Sequence, residues 1–534
     1  MSNNVFDYIV VGAGSAGCVV ASRLTEDANV RVLLLEAGGP DTSVLIHAPA
    51  GVVGMVPTKL NVAGYETVPQ PGLNNRRGYQ PRGKVMGGSS SVNAMCYVRG
   101  NAWDYDHWAV LGNPGWSFKD VLPYFRKSED NDTFDDEFHG KGGPQGVTLP
   151  SDASDLNQTF LQACANQGIP TIADCNGADQ FGAFMYQRTI KDGERVSTAK
   201  AFITPHLGRP NLTVLTHALT ERILVENGTA TGVRVRLKDG VQDFIATAEV
   251  IVSAGAFGSP QLLMLSGIGP AAHLQQKGIA VVHDLPGVGR NLQDHIDYVM
   301  TYRIPSDTES FGLSLRGAVA VTKGILQWRN ERRGIITSNF AESGAFFKSK
   351  PGLEIPDMQL IFIPAIVDDH ARKFHLGHGY SCHLTLLRPR SRGSVTLVDS
   401  NPATAPAIDP GFLVEPEDLE DLARAGQMMR RILEDSAFDA IRGKLLYDVK
   451  ADDLEDMKRD IRNRADTQYH PVGTCKMGPA SDGMAVVDHA LRVHGLRNLR
   501  VADGSIMPRL VGGNTNAPII MIGEKLADML RREH

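Results

Sequence analysis

One stretch near the start of the chain restricts the possible folds more than any other. FDYIVVGAGSAGCVVASRLTEDANVRVLLLEAGG, residues 6–39, reads as a strand, a turn, a helix and a second strand. The run YIVV is continuously apolar, as expected of a strand that is buried on both faces of a parallel sheet. Gly12, Gly14 and Gly17 follow it with the spacing G-x-G-x-x-G, and the second strand ends in Glu36. This order predicts a dinucleotide-binding βαβ unit.

The parts of this unit have separate roles in holding a dinucleotide. The glycines permit a tight turn and close approach of the backbone, and the N-terminus of the helix, with Ser15 and Ala16, faces the pyrophosphate. The carboxylate of Glu36 accepts hydrogen bonds from ribose hydroxyls, which favours FAD or NAD over NADP, and Ala37 is the next candidate contact. GVGRN, residues 287–291, lacks a comparable strand before it and the third glycine. The chain is therefore predicted to bind one dinucleotide.

Two later segments are also rich in small residues. RGKVMGGSSSVNAMCYVRG, residues 82–100, offers unhindered backbone amides that suit close approach to a phosphate or a flat ring, although a flexible surface linker is the alternative. EVIVSAGAFGSPQLLMLSGIG, residues 249–269, predicts a buried strand, a turn and a helix that is capped at Ser259 with Pro260 at its first position. The nucleotide-binding sheet is therefore expected to combine segments that are far apart in the sequence.

Composition excludes several classes of protein. The chain has 534 residues, of which 42% are hydrophobic and 21% charged, a profile typical of a soluble protein with more than one domain. A net charge of -6 without long basic blocks argues against nucleic acid or an anionic membrane as the partner. The six cysteines form no C-x-x-C pair, so neither a disulfide framework nor a zinc site is expected.

The hydropathy pattern bears on where the protein works. The chain shows no basic segment ahead of an apolar run at its start, and no stretch of 18 apolar residues. We therefore expect a cytoplasmic protein with reduced thiols, without a secretion signal or a transmembrane segment. Peripheral association with the inner membrane stays open, as does the oligomeric state.

The chain resembles the glucose-methanol-choline (GMC) family of FAD-dependent oxidoreductases. Five motifs carry this resemblance in the family's order, and together they span the chain. They are GAGSAG with Glu36, GKVMGGSSSVN (83–93), GAFGSPQLLMLSGIG (255–269), HPVGTCKMG (470–478) and VADGSIMPRLVGGNTNAP (501–518). Within the family the sequence is most similar to bacterial alcohol and choline dehydrogenase-like members, a likeness supported by SNFAESGAFFKS (338–349).

The resemblance implies an α/β fold of two domains. A Rossmann-like FAD-binding domain is expected to be assembled from the discontinuous segments 1–155, 196–300 and 466–534. An α+β substrate-binding domain with a largely antiparallel sheet is expected from residues 156–195 and 301–465. Two patterns in the second domain are compatible with this. Partial alternation and a basic turn in GYSCHLTLLRPRSRGSVTLVDS predict a hairpin over 379–400, and apolar residues at helical spacing predict a helix over 416–433.

The resemblance also implies which residues contact FAD. Thr220 matches a backbone contact to the adenine. Val92 stands where some family members carry a histidine that is covalently linked to the flavin, and valine cannot form that bond, so we predict non-covalent FAD. The remaining implied contacts are Met86, Gly87, Gly88, Ser89, Asn93, Ala94, Ala254, Gly255, Ala502, Asp503, Gly513, Asn514 and Thr515.

The bend DTQYHPVGTCKMG, residues 466–478, holds the candidate base. Its proline and glycines do not suit a regular helix or a central strand, and from the residues alone His470 could be a metal ligand, a base or a packed histidine. Hydride removal from an alcohol carbon requires removal of the hydroxyl proton, and histidine has a suitable pKa of about 6.5. By resemblance His470 is the catalytic base, and Asn514 hydrogen-bonds the substrate oxygen, because an amide cannot act as a base.

The implied reaction is oxidation of a primary alcohol to an aldehyde, with hydride transfer to flavin N5. The expected partners are a small-molecule alcohol and an electron acceptor, which is a quinone, another carrier or oxygen. The alternative is a hydroxynitrile lyase-type reaction on the same fold without flavin redox chemistry. Glu342 either lines the pocket or ends a strand beside solvent. Four further histidines lack metal-ligand spacing and are expected near the pocket mouth, namely His370, His375, His378 and His383.

Overall fold

The computed structural model describes residues 4–305 and 310–533, in which helices surround two large sheets. Within these two ranges no helix is long and apolar enough to cross a bilayer. The helices are α1 (Ser15–Leu24), α2 (Val44–His47), α3 (Val52–Thr58), α4 (Ala102–Val110), α5 (Phe118–Ser128), α6 (Leu156–Asn166), α7 (Gly255–Leu265), α8 (Ala271–Gln276), α9 (Leu315–Glu331), α10 (Pro416–Leu433), α11 (Leu454–Arg464) and α12 (Asn516–Glu533).

Many of the strands are short, and most belong to the two large sheets. The strands are β1 (Val5–Val11), β2 (Val32–Leu35), β3 (Val62–Glu66), β4 (Tyr79–Gly83), β5 (Glu129–Asn131), β6 (Gln145–Val147), β7 (Gly182–Met185), β8 (Ile190–Lys191), β9 (Glu194–Arg195), β10 (Leu212–Leu215), β11 (Leu219–Glu226), β12 (Thr229–Leu237), β13 (Gly240–Val252), β14 (Ile268–Gly269), β15 (His283–Asp284), β16 (Arg290–Leu292), β17 (Ile296–Ile304), β18 (Gly312–Leu313), β19 (Ser343–Phe347), β20 (Met358–Ile363), β21 (Gly377–Leu386), β22 (Gly393–Thr396), β23 (Ala407–Asp409), β24 (Asp466–Thr467) and β25 (Leu499–Val501).

The first sheet contains the predicted nucleotide-binding unit. Its strand order is β10, β2, β1, β13, β12, β11, and β25 also pairs with β13. β1 runs parallel to β2 on one side and to β13 on the other, as the apolar runs predicted. Neighbouring residues such as Leu33 and Leu34 point to opposite faces and are both fully buried, so both faces of the sheet are covered. The α/β fold and the assembly of this sheet from distant segments are confirmed.

The second sheet is antiparallel throughout, as the resemblance implied. Its strand order is β24, β17, β21, β20, β19, β7, and β18 pairs with β21. The sheet packs against α6 and α10, whose buried apolar side chains form a second core with its inner face. Strand β17 crosses the boundary that was predicted after residue 300, and it pairs entirely within this sheet. The division of the chain into two domains stays a prediction.

The predicted hairpin over 379–400 is wrong, whereas the helix over 416–433 has the predicted bounds. β21 pairs with β17, β18 and β20, but β22 pairs with β16 and β23 in a different sheet. The basic segment between them is held elsewhere, because the backbone amides of Arg390 and Ser391 both donate to the carboxylate of Asp418 in α10. A carboxylate anchor from a distant helix therefore overrides the local turn pattern.

The start of α7 also differs from its predicted position. The helix begins at Gly255, so Pro260 lies inside it rather than at its first position. Proline removes one helical donor, which leaves the carbonyl of Ala256 without its usual partner. The hydroxyl of Thr474 donates to that carbonyl at 2.6 Å and replaces the missing bond. Ser259 is likewise not the N-cap of α7. It lies within the helix, and its Oγ accepts a hydrogen bond from the backbone amide of Ala254.

Candidate active site

A cavity of about 1070 Å³ is lined by residues of both large sheets. This volume is at the upper end for small-molecule sites, which leaves room for a dinucleotide together with a substrate. The predicted contact residues that line it are Gly12, Gly14, Ser15, Ala16, Glu36, Ala37, Gly88, Ser89, Asn93, Ala94, Thr220, Ala254, Gly255, Asp503, Asn514 and Thr515.

Backbone packing explains why glycines occupy one end of this cavity. Gly12 has φ +100°, and a Cβ atom there would lie 2.4 Å from the carbonyl oxygen of Ser253. A Cβ atom at Gly17 would lie 1.9 Å from the carbonyl oxygen of Gly12, so helix α1 could not pack so closely against the turn. A Cβ atom at Gly88, which has φ +54°, would lie 2.8 Å from Cα of Gly14. The turn after β1 and the segment after β4 therefore form one cradle that only glycine permits.

The N-terminus of α1 is available to an anion. This helix, which is described in full, begins at Ser15 after the N-cap residue Gly14, which provides no side-chain cap, and it carries no acidic residue in its first turn. Its first backbone N–H groups have no partners within the helix, and Ser15 and Ala16 line the cavity. Such a terminus favours the negative charge of a pyrophosphate. The donor groups and the glycine cradle fit the dinucleotide that the motif predicted.

Glu36 lies directly after β2 and faces the same cavity. Its carboxylate accepts hydrogen bonds from the backbone amides of Ala13 at 3.1 Å and Gly38 at 2.7 Å, which fixes its orientation. Burial raises the pKa of Glu36 to about 7, and the two amide hydrogen bonds oppose that rise. A carboxylate has further acceptor capacity, so it can still receive ribose hydroxyls. Elsewhere on the wall, the buried Oγ1 of Thr220 has no hydrogen-bond partner among the described residues.

Five predicted contact residues do not line the cavity. The amide of Gly87 donates to the carbonyl of Ala13 at 2.7 Å, and the carbonyl of Ala502 accepts from the hydroxyl of Ser253. Asp503 does line the cavity, but its Oδ2 accepts from the amide of Gly255, so the carboxylate also braces the start of α7. The five residues without a place on the wall are Gly17, Met86, Gly87, Ala502 and Gly513.

The structure brings His470 and Asn514 together at the other end of the cavity. Nε2 of His470 lies 3.3 Å from Nδ2 of Asn514, and both residues line the cavity. The bend that carries His470 is held in two places. The amide of His470 donates to Asp294 at 2.9 Å, and the guanidinium of Arg82 donates to the carbonyl of Tyr469 at 2.6 Å. Tyr469 itself has φ +70°, an uncommon conformation that these contacts stabilise.

A second histidine, which the sequence analysis missed, fixes the protonation of His470. Nε2 of His295 lies 2.9 Å from the carbonyl oxygen of Leu387, and a carbonyl only accepts, so this nitrogen carries the proton. Burial lowers the pKa of His295 to about 3, so the ring is neutral and its Nδ1 can only accept. That Nδ1 lies 2.9 Å from Nδ1 of His470. His470 must therefore donate through Nδ1, which leaves the Nε2 lone pair directed towards Asn514.

Electrostatics keep the imidazole of His470 neutral. Burial, together with the positive charge of the neighbouring Arg82, holds the pKa of His470 well below its usual range. The amide of Asn514 is oriented as well, because its Oδ1 accepts from Nε2 of Gln359 at 3.0 Å. Its Nδ2 group thus donates towards the base. The arrangement presents one proton acceptor and one hydrogen-bond donor, side by side, to anything that enters this end of the cavity.

Both expectations for Glu342 are wrong. Its side chain is buried at the residue before β19 and lies on neither the cavity wall nor the surface. The carboxylate accepts from the amide of Ser154, the side-chain amide of Asn157 and the hydroxyl of Ser338. These three hydrogen bonds satisfy the carboxylate of Glu342, which joins two segments of the fold. The carboxylate is therefore not available to a ligand.

The four histidines of residues 370–383 have separate partners. His370 contacts the hydroxyl of Tyr469 at 2.6 Å, while His375, His378 and His383 contact Asp368, Ser314 and Asp297 respectively. All except His378 line the cavity. Among the described residues, the group with a spacing that suits a metal ion is Asp136, His139 and Asp174. There His139 contacts both Glu129 and Asp174, and its pKa is raised to about 9, so a protonated imidazole serves as the cation of that cluster.

Comparison with known proteins places these features in a family. A family model described as GMC oxidoreductase matches residues 6–297, and a second with the same description matches residues 389–523. An alcohol dehydrogenase (acceptor) of Pseudomonas putida is 44% identical, covering 99% of this chain and 96% of its own. An oxygen-dependent choline dehydrogenase of Photobacterium profundum is 39% identical, covering 99% and 93% respectively.

Solved structures of similar proteins have the same fold. Pyridoxine 4-oxidase from Mesorbium loti superimposes with a TM-score of 0.90 at 32% identity, over 99% of this chain and 100% of that one. An FAD-dependent oxidoreductase from Chaetomium thermophilum gives a TM-score of 0.90 at 27% identity, over 99% of each chain. The matched residues include both large sheets.

Proposed function

Because the chain belongs to the GMC oxidoreductase family, we propose that it oxidises a primary alcohol to the aldehyde, with His470 as the general base. Its relatives make it an FAD-dependent enzyme that acts on CH–OH groups. Bound FAD supplies the acceptor for the hydride that leaves the alcohol carbon. The single observation that carries the proposal is the unprotonated Nε2 of His470 beside the donor group of Asn514.

The two side chains divide the work on the substrate oxygen. The alcohol hydroxyl donates to Nε2 of His470 and accepts from Nδ2 of Asn514, which lie 3.3 Å apart. As the hydroxyl proton moves to Nε2, the negative charge that develops on oxygen is stabilised by the Asn514 amide. The lone pair of His295 then accepts from Nδ1–H of the imidazolium that forms. Because burial disfavours this imidazolium, the proton is readily passed on.

The cavity wall favours an apolar alcohol over choline. Recognition of a quaternary ammonium uses an aromatic cage, commonly with a carboxylate. Glu342 is buried among its own donors, and Asp297 is occupied by His383 at 2.6 Å. The cavity wall instead carries apolar side chains, among them Phe340, Ile361 and Ile363. We therefore assign the enzyme to primary alcohols with apolar substituents.

The cofactor is proposed to be non-covalent. Val92 lines the cavity and has no atom that could bond to the flavin ring. Acid precipitation should therefore leave a colourless pellet and a yellow supernatant, and a yellow pellet would overturn this point. These relatives are two dehydrogenases, an oxidase and an FAD-dependent oxidoreductase, so the lyase alternative gains no support from them.

An anaerobic experiment tests the reaction class. The purified enzyme is mixed with a panel of primary alcohols, from ethanol to long-chain and benzylic alcohols and choline, while the flavin absorbance is followed. Bleaching by apolar alcohols but not by choline is expected, and an unchanged spectrum with every alcohol would refute the oxidation. Turnover with oxygen, with a quinone and with a reducible dye then identifies the acceptor class, which we propose to be a quinone or another carrier in preference to oxygen.

A further inference from the structure

Helix α9 and a neighbouring loop expose apolar side chains beside the cavity. Leu315 and Leu326 of α9 are 85% and 58% exposed, and Phe374 and Leu376 of the loop are 74% and 81% exposed. We call these four residues together with Val319 the apolar rim. The two parts are joined, because β18 pairs with the start of β21 and the hydroxyl that caps α9 contacts Nε2 of His378 at 2.8 Å. The exposed apolar residues of α9 and of the loop therefore belong to one surface.

The two sides of α9 have different roles. At 3.6 residues per turn, the rim residues of the helix fall within about 40° of one another and form a single stripe. Val321, Ile325 and Trp328 lie on another side, line the cavity and cover it. Gly324 packs so closely against the following segment that a Cβ atom would lie 2.1 Å from Ile335. The helix is therefore fixed as a cover whose outward stripe is also apolar.

Basic side chains surround the stripe. Residues 313–333 and 370–376, which are described in full, carry seven exposed basic residues against one exposed acid, Glu331. Arg332 and Arg372 have ion-pair partners in Glu194 and Asp369, and Arg316 also makes an interaction. Lys323, Arg329, Arg333 and Lys373 still outnumber the exposed acid Glu331, so the local excess of positive charge remains. The basic residues are Arg316, Lys323, Arg329, Arg332, Arg333, Arg372 and Lys373. This contrasts with the net charge of -6 for the whole chain.

We propose that the apolar rim docks the enzyme on the surface of an anionic lipid bilayer, with α9 lying in the headgroup region. An apolar stripe flanked by lysine and arginine is the pattern of helices that lie in a membrane interface. The cations would attract acidic headgroups, and the exposed leucines and phenylalanine would enter the acyl boundary. A second copy of the chain fits less well, because symmetric pairing would bring the two basic surroundings together.

Docking in this orientation places the cover of the cavity against lipid. An apolar molecule dissolved in the bilayer would then reach the cavity beside Ile325 and Phe374 without crossing water. The proposal concerns the surface alone and holds whichever alcohol is oxidised, so its failure would leave the proposed reaction untouched.

Vesicle sedimentation of the FAD-loaded enzyme tests the proposal. Phosphatidylcholine vesicles with phosphatidylglycerol should bind the enzyme, more weakly at high salt, whereas phosphatidylcholine alone should bind it poorly. Replacing Leu315 and Leu326 together by glutamine should weaken binding by more than about tenfold. Lys323→Gln should weaken binding to the anionic vesicles by about fivefold. Val110→Gln is the matched control, because Val110 is 80% exposed at the end of α4 and lies outside the rim.

Folding and assembly are measured on the same samples. Thermal unfolding and turnover of a soluble alcohol with a dye, without vesicles, should be unchanged in every variant, because none of these side chains lines the cavity. If the double variant folds poorly, Val319→Gln provides the second test of the stripe. Absence of binding, or binding that the rim substitutions leave intact, overturns the proposal. A dimer that Leu315→Gln converts to a monomer would identify the rim as a subunit interface instead.

Discussion

The two ends of the cavity are built in different ways. The dinucleotide end consists of backbone, because glycines at positions 12, 17 and 88 bring chain segments within distances that no side chain permits. The end that we propose to be catalytic consists of side chains from distant segments, with His295 following β16 and His470 following β24. A backbone cradle fails as a unit when one atom is added. In a side-chain network, one substitution instead removes the role of one residue. The following variants distinguish loss of FAD binding from loss of a single catalytic role.

The largest effect is expected from Gly17→Ala. Its Cβ atom would lie 1.9 Å from the carbonyl oxygen of Gly12, so α1 must move away from the turn that is predicted to bind the pyrophosphate. The purified variant should contain little or no FAD and show no turnover, as measured by the flavin-to-protein absorbance ratio. Gly208→Ala is the matched control, since a Cβ atom there meets nothing within 4 Å. A Gly17→Ala protein with a full complement of FAD would show that the cradle tolerates side chains.

His470→Ala should separate catalysis from cofactor binding. Loss of a general base lowers kcat/KM by about 10²–10⁴-fold. FAD content should be unchanged, because the cradle lies at the other end of the cavity. Stopped-flow measurement of flavin reduction by the preferred alcohol gives the rate directly. Full turnover by the FAD-loaded variant would remove His470 from the mechanism.

His295 is expected to act by positioning the base. Its removal in His295→Ala deprives Nδ1–H of His470 of its acceptor, which should lower kcat by about tenfold. The imidazolium of His470 also loses the acceptor that stabilises it, so the acidic limb of the kcat/KM profile should move to lower pH in this variant. His295→Asn offers an amide oxygen in place of Nδ1 and should recover most of the rate. A purely structural role would reduce activity in both variants without moving the pH profile.

The smallest effect concerns the pH dependence of FAD affinity. Burial raises the pKa of Glu36 to about 7 in the FAD-free protein, so the carboxyl gains a proton as the pH falls through that value. A protonated carboxyl loses part of its capacity to accept ribose hydroxyls, and the FAD dissociation constant should rise by a few-fold at lower pH. Fluorescence titration across this range measures the change. Glu36→Gln should bind FAD more weakly but with a flatter pH profile, and equal slopes would exclude Glu36 as the titrating group.

The same contrast explains what the sequence could predict. The βαβ unit is local in the chain, so its strands, glycines and Glu36 could be placed before the structure was known. The pairing of His470 with Asn514 was inferred from the family resemblance, because no residue spacing in the two segments that carry them identifies a catalytic pair. His295 was missed because only GVGRN, residues 287–291, was interpreted, and only for its glycines; the available signal was a histidine directly before a strand.

Other errors have the same origin in long-range contacts. Asp418 draws the 390–391 segment away from the predicted hairpin, and the donors of Ser154 and Asn157 explain the burial of Glu342. The net charge of the chain argued against an anionic membrane, yet the charge around α9 has the opposite sign. A sum over the whole sequence carries no information about where the charges lie on the surface.

The hydrogen bond between Thr474 and Ala256 has a consequence for how FAD binding affects the bend. It ties the bend that carries the base to the helix that begins beside Asp503 on the cofactor wall. Opening of either segment must break this bond, so the two belong to one cooperative unit of local unfolding. Amides of residues 470–476 should therefore gain protection from hydrogen exchange when FAD binds. FAD binding would then order the bend that carries His470. In the FAD-free protein, His470 would sample a wider range of conformations.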